Sequence, residues 1–252
     1  MNLSKLFAYS NPLHTDTFPL VKQMEVEVVA MTAEAIGLKD EKGNPCGTLN
    51  SGGTESIIMA IYAYREYKMK ECGVTKPNMV ICETGHVAGI KACKYMDIEI
   101  RMIPMDSKYQ MNIGKMKRAI DSQTICVYAS YPNYPFGTAD QVDIIGPYCH
   151  KRGVPVHLDM CLGGFVSPFV EKDWKVPQGV TSISADVHKY GLAAKGASVL
   201  LYSSDIYRKH QFFVTTFWPG GLYGTHGLAG SRSGVFVASS WISMMKLGRK
   251  GY

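Results

Sequence analysis

A histidine and a lysine stand side by side in a setting that could do chemistry. His188 directly precedes Lys189, and both follow the run of small and β-branched residues at 182–185. A second lysine, Lys195, comes shortly before an apolar strand candidate at 197–202. A lysine between two strands and beside a histidine is a candidate for Schiff-base chemistry, which needs an amine desolvated enough to lose its proton near neutral pH. Most lysines are solvated surface charges, so the rest of the chain decides how Lys189 is interpreted.

A glycine pair with neighbouring hydroxyls could hold a phosphate group. The pair is Gly52 and Gly53. Together with Thr54 it lies in the segment 51–56, just before a helical pattern that runs to about Cys72. The first N–H groups of a helix have no partner within the helix, and the helix dipole favours an anion at this end. An ordinary helix N-cap by Ser51 or Thr54 explains the same residues. The motif alone leaves both interpretations open.

Three further polar residues come at or shortly after apolar runs that have the pattern of buried strands. They are His86, Tyr134 and Asp159. Helical patterns alternate with the strands, which is typical of an α/β fold whose mainly parallel sheet carries helices on both faces. Ligands bind beyond the carboxyl ends of such strands. The sequence therefore predicts one site that collects Gly53, Thr54, His86, Tyr134, Asp159 and Lys189.

Pyridoxal phosphate is a cofactor whose needs this set of residues meets. Its site requires an amine for the aldehyde, a carboxylate beside the ring nitrogen, donors for the phosphate and a flat group against the ring. Lys189 can supply the amine, and Asp159 can keep the ring nitrogen protonated, which makes the ring a better electron sink. The residues that can hold the phosphate are Gly53, Thr54 and His188.

Each of these residues also has an ordinary structural explanation. His86 can stack on the cofactor ring, but a lone histidine is more often a satisfied core residue. Asp159 can cap a helix, and His188 can cap a turn. Taken singly, the structural explanations are favoured, whereas the set in this order favours a cofactor site.

The composition excludes several classes of protein. Of the 252 residues, 46% are hydrophobic and 19% are charged, which is typical of a folded globular protein. The net charge is +6, but the basic residues are scattered, so nucleic acid is not favoured as a partner. The seven cysteines include no Cys-x-x-Cys pair, which argues against a metal site and a disulfide framework. No stretch approaches the roughly 18 apolar residues that a membrane span needs.

The order of these motifs resembles that of the sphingosine-1-phosphate lyases, a family in the group II decarboxylase branch of the fold-type I pyridoxal-phosphate enzymes. The segment 181–191, followed by Lys195 and Gly196, is similar to the family's cofactor-lysine segment. The further matches extend over nearly the whole chain and lie at 11–14, 51–56, 133–135, 157–165, 207–208, 211–214 and 229–232.

The resemblance implies a pyridoxal-phosphate-dependent lyase of sphingolipid catabolism. Such an enzyme cleaves the C2–C3 bond of a phosphorylated sphingoid base by a retro-aldol reaction, which yields a long-chain aldehyde and phosphoethanolamine. Lys189 is then the lysine that holds the cofactor, Asp159 the partner of the ring nitrogen, and His86 the stacking residue. The residues implied to bind the cofactor phosphate are Gly53, Thr54 and His188.

The resemblance also implies residues for the substrate and for a second subunit. The residues expected near the substrate are Asn11, His14, Tyr134 and Lys195. Among them, Lys195 and Tyr134 are candidates for binding the substrate phosphate. Ser231 is expected to reach the cofactor phosphate of the other subunit of a homodimer. The base that takes the hydroxyl proton is left open between Lys189, His14 and Tyr134.

Family members are longer than 252 residues, so the chain is expected to be truncated at both ends. Residues 1–18 are expected to form an N-terminal active-site segment and residues 19–252 the large cofactor-binding domain, without the small C-terminal domain. Eukaryotic members sit at the endoplasmic reticulum with the catalytic part facing the cytosol, and this chain is expected to lack their membrane anchor.

Two alternatives stay open. An amino-acid α-decarboxylase of the same branch shares the cofactor residues, but it has no use for a second phosphate site at Lys195 and Tyr134. A catalytically silent fragment that only dimerises is the other alternative, because Ser231 in the glycine-rich loop 219–234 is expected to point into a neighbouring subunit.

Overall fold

The alternation of apolar strands and helices produces one large sheet that is covered on both faces. The structure, a computed structural model, describes residues 3–252, with side chains from residue 5 onward. The first two residues of the predicted segment 1–18 lie outside the described residues. The strands of the large sheet are β1 Gly47–Asn50, β2 Asn78–Cys82, β3 Glu99–Ile103, β4 Thr124–Ser130, β5 Val156–Asp159, β6 Ser182–Ala185 and β7 Ser198–Tyr202.

The strand order across the sheet is β1-β7-β6-β5-β4-β2-β3. All pairs from β6 to β3 are parallel, whereas β7 is antiparallel to both of its neighbours, β6 and β1. Strand β1 therefore points in the same direction as the parallel strands. The prediction of an α/β fold with a mainly parallel seven-stranded sheet is confirmed.

The helices include one that runs to Cys72, as the sequence predicts. They are α1 Leu3–Phe7, α2 Pro19–Ile36, α3 Gly53–Cys72, α4 Val87–Met96, α5 Ile113–Ala119, α6 Val142–His150, α7 Ser167–Val170, α8 Asp205–Arg208 and α9 Gly234–Gly251. Helix α2 starts with a proline in its first turn and stops at Gly37, whose φ of 87° suits glycine. Across residues 3–252, every helix is too short or too polar to pass through a lipid bilayer.

Two hydrophobic layers hold the helices against the sheet. On one face, Ile61 of α3 and Ala92 of α4 are fully buried against the sheet. On the other face, Val28 of α2, Ile145 of α6 and Val237 of α9 belong to the larger core cluster. Each large apolar side chain buried in this way contributes about 1.5–3 kcal/mol, so the layers fix the sheet and the edge where its polar strand ends lie.

Two features of the strands were not predicted from the sequence. Strand β1 lies where the sequence indicates only a turn into a helix, because it has four residues and two of them, Thr48 and Asn50, are polar. Its backbone lies close to that of β7: a Cβ atom on Gly47 would come within 2.5 Å of the carbonyl oxygen of Leu200. The second feature is an antiparallel hairpin formed by β8 Phe213–Thr215 and β9 Tyr223–Thr225.

Candidate active site

One edge of the sheet gathers the carboxyl ends of β1, β2, β4, β5 and β6. Segments that follow these strands border a cleft of about 520 Å³ at this edge. The cleft is lined by Ser51, Gly52, Gly53, Thr54, Glu55, Ile57, His86, Ser130, Pro132, Tyr134, Asp159, Cys161, Leu162, Asp186, His188 and Lys189. Seven residues singled out from the sequence are therefore brought together: Gly53, Thr54, His86, Tyr134, Asp159, His188 and Lys189.

The start of α3 forms one wall of the cleft. The residue that caps this helix is Gly52 and not Ser51 or Thr54, and within the described chain no side chain caps it. The first N–H groups of α3 are therefore available to a ligand, with the favourable end of the helix dipole behind them. This outcome favours the phosphate interpretation of the glycine pair over the ordinary N-cap.

Gly53 is required by the close packing of this wall. A Cβ atom at this position would lie 2.7 Å from Sγ of Cys161 and 2.9 Å from each carboxylate oxygen of Asp186. These distances are shorter than van der Waals contact, so a side chain larger than hydrogen would push the loop out of place. The loop thus forms a cradle whose backbone can approach an anion closely.

Asp159 is held firmly at the end of β5. The hydroxyl of Tyr128 donates to Oδ2, and the backbone N–H of Cys161 donates to Oδ1 at 2.9 Å. Burial, together with the negative charge of Asp159, raises the pKa of Tyr128 well above its usual value, so the phenol keeps the proton that it donates. Ser184 lies 3.4 Å from Oδ1 on the neighbouring strand. The carboxylate is therefore fixed in orientation and can receive a proton-bearing ring nitrogen.

The amine of Lys189 has a partner that the sequence analysis missed. Its Nζ lies 2.8 Å from Oδ2 of Asp186, a buried carboxylate three residues earlier. Burial lowers the pKa of Lys189, but the hydrogen bond and the charge of Asp186 outweigh burial and raise this pKa above its ordinary value. The sequence analysis expects this amine to lose its proton near neutral pH, whereas the contact with Asp186 in this structure favours the protonated form. The sequence does show an aspartate directly after β6, but whether its carboxylate contacts Lys189 depends on the turn between the two residues.

His188 is oriented by backbone groups. Its Nδ1 accepts a hydrogen bond from the N–H of Ala197 at 3.1 Å, and its Nε2 lies 3.5 Å from Oδ2 of Asp186. Burial lowers the pKa of His188, and the positive charges of Lys195 and Lys189 add to this effect against the attraction of Asp186. Because Nδ1 is an acceptor, the neutral ring carries its proton on Nε2, on the side of Asp186 and the cleft.

Two residues stand at the rim of the cleft. His86 is exposed and caps α4, because its Nδ1 accepts from the N–H of Ala88 at 3.1 Å. It is therefore not the buried core histidine considered as an alternative. Tyr134 is 78% exposed in the turn after β4. Both side chains are open to a molecule that enters the cleft.

The other predicted site residues lie elsewhere. Among the described residues, Asn11, His14, Lys195 and Ser231 are outside the lining of the cleft. Asn11 donates from Nδ2 to Oγ of Ser231 at 2.9 Å, which ties the N-terminal segment to the loop before α9. Lys195 donates to the carbonyl oxygen of His188 at 3.3 Å, and His14 is exposed between two turns. Their roles in substrate or cofactor binding stay predictions.

The cleft fits the cofactor that the sequence predicts. It combines an amine at Lys189, a fixed carboxylate at Asp159 and a glycine cradle at the start of a long helix. These groups match the aldehyde, the ring nitrogen and the phosphate of pyridoxal phosphate. Within residues 3–252, no cluster of three or more metal-binding side chains was found.

Comparisons with known proteins agree with this chemistry. A family described as "Pyridoxal-dependent decarboxylase conserved domain" matches residues 7–252. The chain is 44% identical to the sphingosine-1-phosphate lyase of Oryza sativa subsp. japonica over 98% of its length, which is 48% of that protein. It is 46% identical to the sphingosine-1-phosphate lyase of Drosophila melanogaster, over 97% of this chain and 46% of that protein.

A solved structure gives the same result. The sphingosine-1-phosphate lyase of Burkholderia pseudomallei superposes with a TM-score of 0.94 at 37% identity, covering 99% of this chain and 60% of that chain. The resemblance inferred from the sequence motifs is confirmed, and so is the prediction of a pyridoxal cofactor. The chain spans about half the length of the curated relatives that it matches.

Proposed function

We propose, given that this chain belongs to the pyridoxal-dependent decarboxylase family, that it acts as a sphingosine-1-phosphate lyase. It cleaves the C2–C3 bond of a phosphorylated sphingoid base and releases a long-chain aldehyde and phosphoethanolamine. The observation that carries this proposal is the convergence of Lys189, Asp159 and the start of α3 in one cleft, in a chain 44% identical to a lyase of this name.

The residues of the cleft divide the work of holding the cofactor. The N–H groups of Gly53 and Thr54, together with Nε2 of His188, bind its phosphate. Asp159, fixed by Tyr128 and a backbone N–H, keeps a proton on the ring nitrogen. When bound, pyridoxal phosphate supplies an electron sink for the bond that breaks.

The remaining cleft residues act on the substrate and on the proton. Lys189 would hold the cofactor through its aldehyde, and His86 would cover the ring from the rim. Tyr134 lies at the mouth, where a substrate headgroup enters. Of the three candidates for the base, Lys189 and Tyr134 line the cleft, and this position favours them over the exposed His14.

We also propose a homodimer in which Ser231 completes the cofactor site of the partner subunit. Ser231 lies outside the lining of its own cleft, and the β8–β9 hairpin nearby exposes a group of large apolar side chains. The protein is proposed to work on the cytosolic side, as is expected of eukaryotic family members at the endoplasmic reticulum. Lys195 and Asn11 are proposed to contact the substrate in this assembly.

The test combines cofactor binding with product analysis. Purified protein is incubated with pyridoxal phosphate, reduced with borohydride and digested, and mass spectrometry is expected to find the cofactor on Lys189. With sphingosine 1-phosphate as substrate, phosphoethanolamine and a long-chain aldehyde are expected to form. Lys189→Ala is expected to abolish both results.

The rival functions give different results in the same assay. Release of carbon dioxide from an unphosphorylated amino acid, with the phosphorylated sphingoid base left intact, would establish a decarboxylase instead. Cofactor on Lys189 without any product from either substrate class would contradict the proposed activity and favour a silent, dimerising protein.

A further inference from the structure

Asp186 is a buried carboxylate to which the proposed function gives no task. It follows β6 directly, and only 2% of its surface is exposed. Its Oδ2 lies 2.8 Å from Nζ of Lys189 and 3.5 Å from Nε2 of His188, while Oδ1 has no hydrogen-bond partner among the described residues. An isolated charge is costly to bury, and the ammonium group of Lys189 offsets this cost by stabilising the buried carboxylate.

The ion pair stands where the cofactor has to enter. Asp186 contacts the glycine cradle, since a Cβ atom on Gly53 would lie 2.9 Å from both of its oxygens. The other ionisable groups around Lys189 and Asp186 are Asp159 and Cys161 after β5, His188, His86 at the start of α4, Glu55 in α3, Tyr134 at the mouth and Lys195 beyond His188. Among the described carboxylates, Asp186 is the one within salt-bridge distance of Lys189.

The state of this amine decides whether it can react. An amine forms a bond to an aldehyde carbon through its free electron pair, which an ammonium group does not have. In a pair at 2.8 Å, the carboxylate stabilises the ammonium form and also fixes the direction of the side chain. Capture of the cofactor therefore has to open a contact that this structure holds closed.

We propose that Asp186 is a positioning residue that keeps Lys189 protonated and paired until the cofactor arrives, so that cofactor capture is limited by opening of this ion pair. This role of Asp186 rests on the proposed role of Lys189 as the cofactor-binding lysine. When the pair opens, the ammonium proton passes to solvent and the neutral amine becomes available. Because this proton is lost more easily at higher pH, the rate of cofactor capture increases as the pH rises.

The first experiment measures the amine without any cofactor. Cofactor-free wild type, Asp186→Asn and Glu55→Gln are treated with acetic anhydride at a series of pH values. The acetylation rate of Lys189 is then read by mass spectrometry. Asp186→Asn is expected to shift the midpoint of the rate profile to lower pH by one unit or more, which is about a tenfold faster reaction at a fixed pH below it.

The control and the contrary results are defined by the same profiles. Glu55→Gln removes another buried carboxylate of the cleft, one that bonds to the N–H of Ser51 instead of to Lys189, and it is expected to leave the midpoint unchanged. Equal midpoints in wild type and Asp186→Asn would overturn the role of Asp186. These measurements do not depend on lyase activity, so they separate this inference from the proposed function.

The second experiment measures capture itself. The rate at which pyridoxal phosphate binds is followed by its absorption change against pH. Asp186→Asn is expected to bind pyridoxal phosphate about tenfold faster than wild type near neutral pH, and its rate is expected to reach its plateau at a lower pH. Identical profiles would overturn the proposal. Should Asp186→Asn fail to fold, native and urea-unfolded wild type are compared instead. The proposal would also be overturned if the acetylation midpoint of Lys189 were no higher in the native protein than in the unfolded chain.

Discussion

Asp159 is the last residue of β5 and Lys189 follows the neighbouring strand β6, yet the surroundings of the two charged side chains differ. Asp159 accepts hydrogen bonds from the buried phenol of Tyr128 in β4 and from the backbone N–H of the buried Cys161 just after β5. Lys189 has one strong contact, and the partner carboxylate sits on the same turn. The side chain of Asp159 is therefore fixed in place, whereas that of Lys189 can exchange its one partner for another.

Gly53 is the residue whose substitution tests the phosphate cradle most directly. Gly53→Ala adds a Cβ atom that meets Cys161 and the oxygens of Asp186 at less than 3 Å, so the loop has to move away from the cleft. We expect the dissociation constant of pyridoxal phosphate to rise at least tenfold, which is about 1.4 kcal/mol of lost binding free energy. A cofactor titration followed by absorption measures this change.

Gly114→Ala is the matched control for this substitution. A Cβ atom on Gly114 in α5 would meet its nearest neighbour at 3.5 Å, an ordinary contact distance. Because alanine favours helix over glycine, this variant is expected to keep wild-type cofactor affinity without loss of stability. Equal affinities for both variants and the wild type would show that the cradle does not need a glycine at position 53.

At the scale of single elements, His86 serves helix α4 whatever it does for the cofactor. His86→Ala removes the acceptor for the N–H of Ala88, and we expect a loss of about 1 kcal/mol in the free energy of unfolding. His86→Asn supplies a new capping oxygen but no ring, so stability is expected to recover while cofactor affinity stays reduced. Urea unfolding and cofactor titration of both variants separate the two roles.

His86→Asn also tests whether the ring of His86 contacts the cofactor at all. If His86→Asn binds the cofactor as tightly as wild type does, then the ring of His86 does not stack and its role is limited to the cap. Capping could not be predicted with certainty from the sequence, because it depends on how the chain turns out of β2.

The sequence predicts the elements of this fold well and its contacts less well. The strands at β2 and β4 are continuous apolar runs, and Pro19 and Gly37 mark the ends of α2, so local patterns are sufficient there. Strand β1 has no such pattern, since its pairing with β7 joins parts of the chain far apart in sequence. The ion pair of Asp186 with Lys189 was missed for a different reason: the two residues are close in sequence, but the shape of the turn between them decides whether they meet.

At the scale of the whole molecule, a buried ion pair ties the C-terminal part of the chain to α2. Arg232 donates to the buried Glu25 and to the carbonyl oxygen of Leu49 at 3.2 Å. Burial acts to raise the pKa of Glu25, but the hydrogen bond and charge of Arg232 prevail and hold it below the ordinary value of 4.5. The native state therefore favours the ionised carboxyl.

The pH dependence of stability follows from this lowered pKa. The contribution of Glu25 is fully present above about pH 4.5, the ordinary pKa, and is lost as the pH falls through the lower native pKa. Arg232→Met leaves a buried carboxylate without its main partner, and a loss of about 3–5 kcal/mol is expected at pH 7. Urea unfolding between pH 7 and pH 4 should show the difference from wild type shrinking, because Glu25 of the variant, buried without Arg232, becomes protonated within this range.

Arg249→Met is the control for this prediction. Arg249 lies 4.0 Å from Glu34 in an exposed pair, so its removal is expected to change stability little at any pH. A difference between wild type and Arg232→Met that stays constant from pH 7 to pH 4 would contradict the assigned linkage to Glu25.

The β8–β9 hairpin bears on the assembly of the molecule. Phe217 at its tip is 95% exposed, and Trp218 and Leu222 beside it are also exposed. Large contiguous apolar surfaces of this kind typically mark interaction sites. Phe217→Ser is expected to weaken the proposed homodimer at least tenfold in analytical ultracentrifugation. Val170→Ser, at another exposed apolar residue, should have no effect, and a wild-type dissociation constant for Phe217→Ser would argue against this surface.

The pairing of Gly47 with Leu201 in the sheet has a consequence for synthesis on the ribosome. The wall that carries Gly53 is anchored by β1, a strand that has no neighbour in the sheet until β7 has emerged from the ribosome. A nascent chain released before that point holds an unpaired strand and half of a binding cleft. Vitamin B6 can therefore be captured only after β7 has emerged, and until then the growing sheet keeps an unpaired strand beside the cleft.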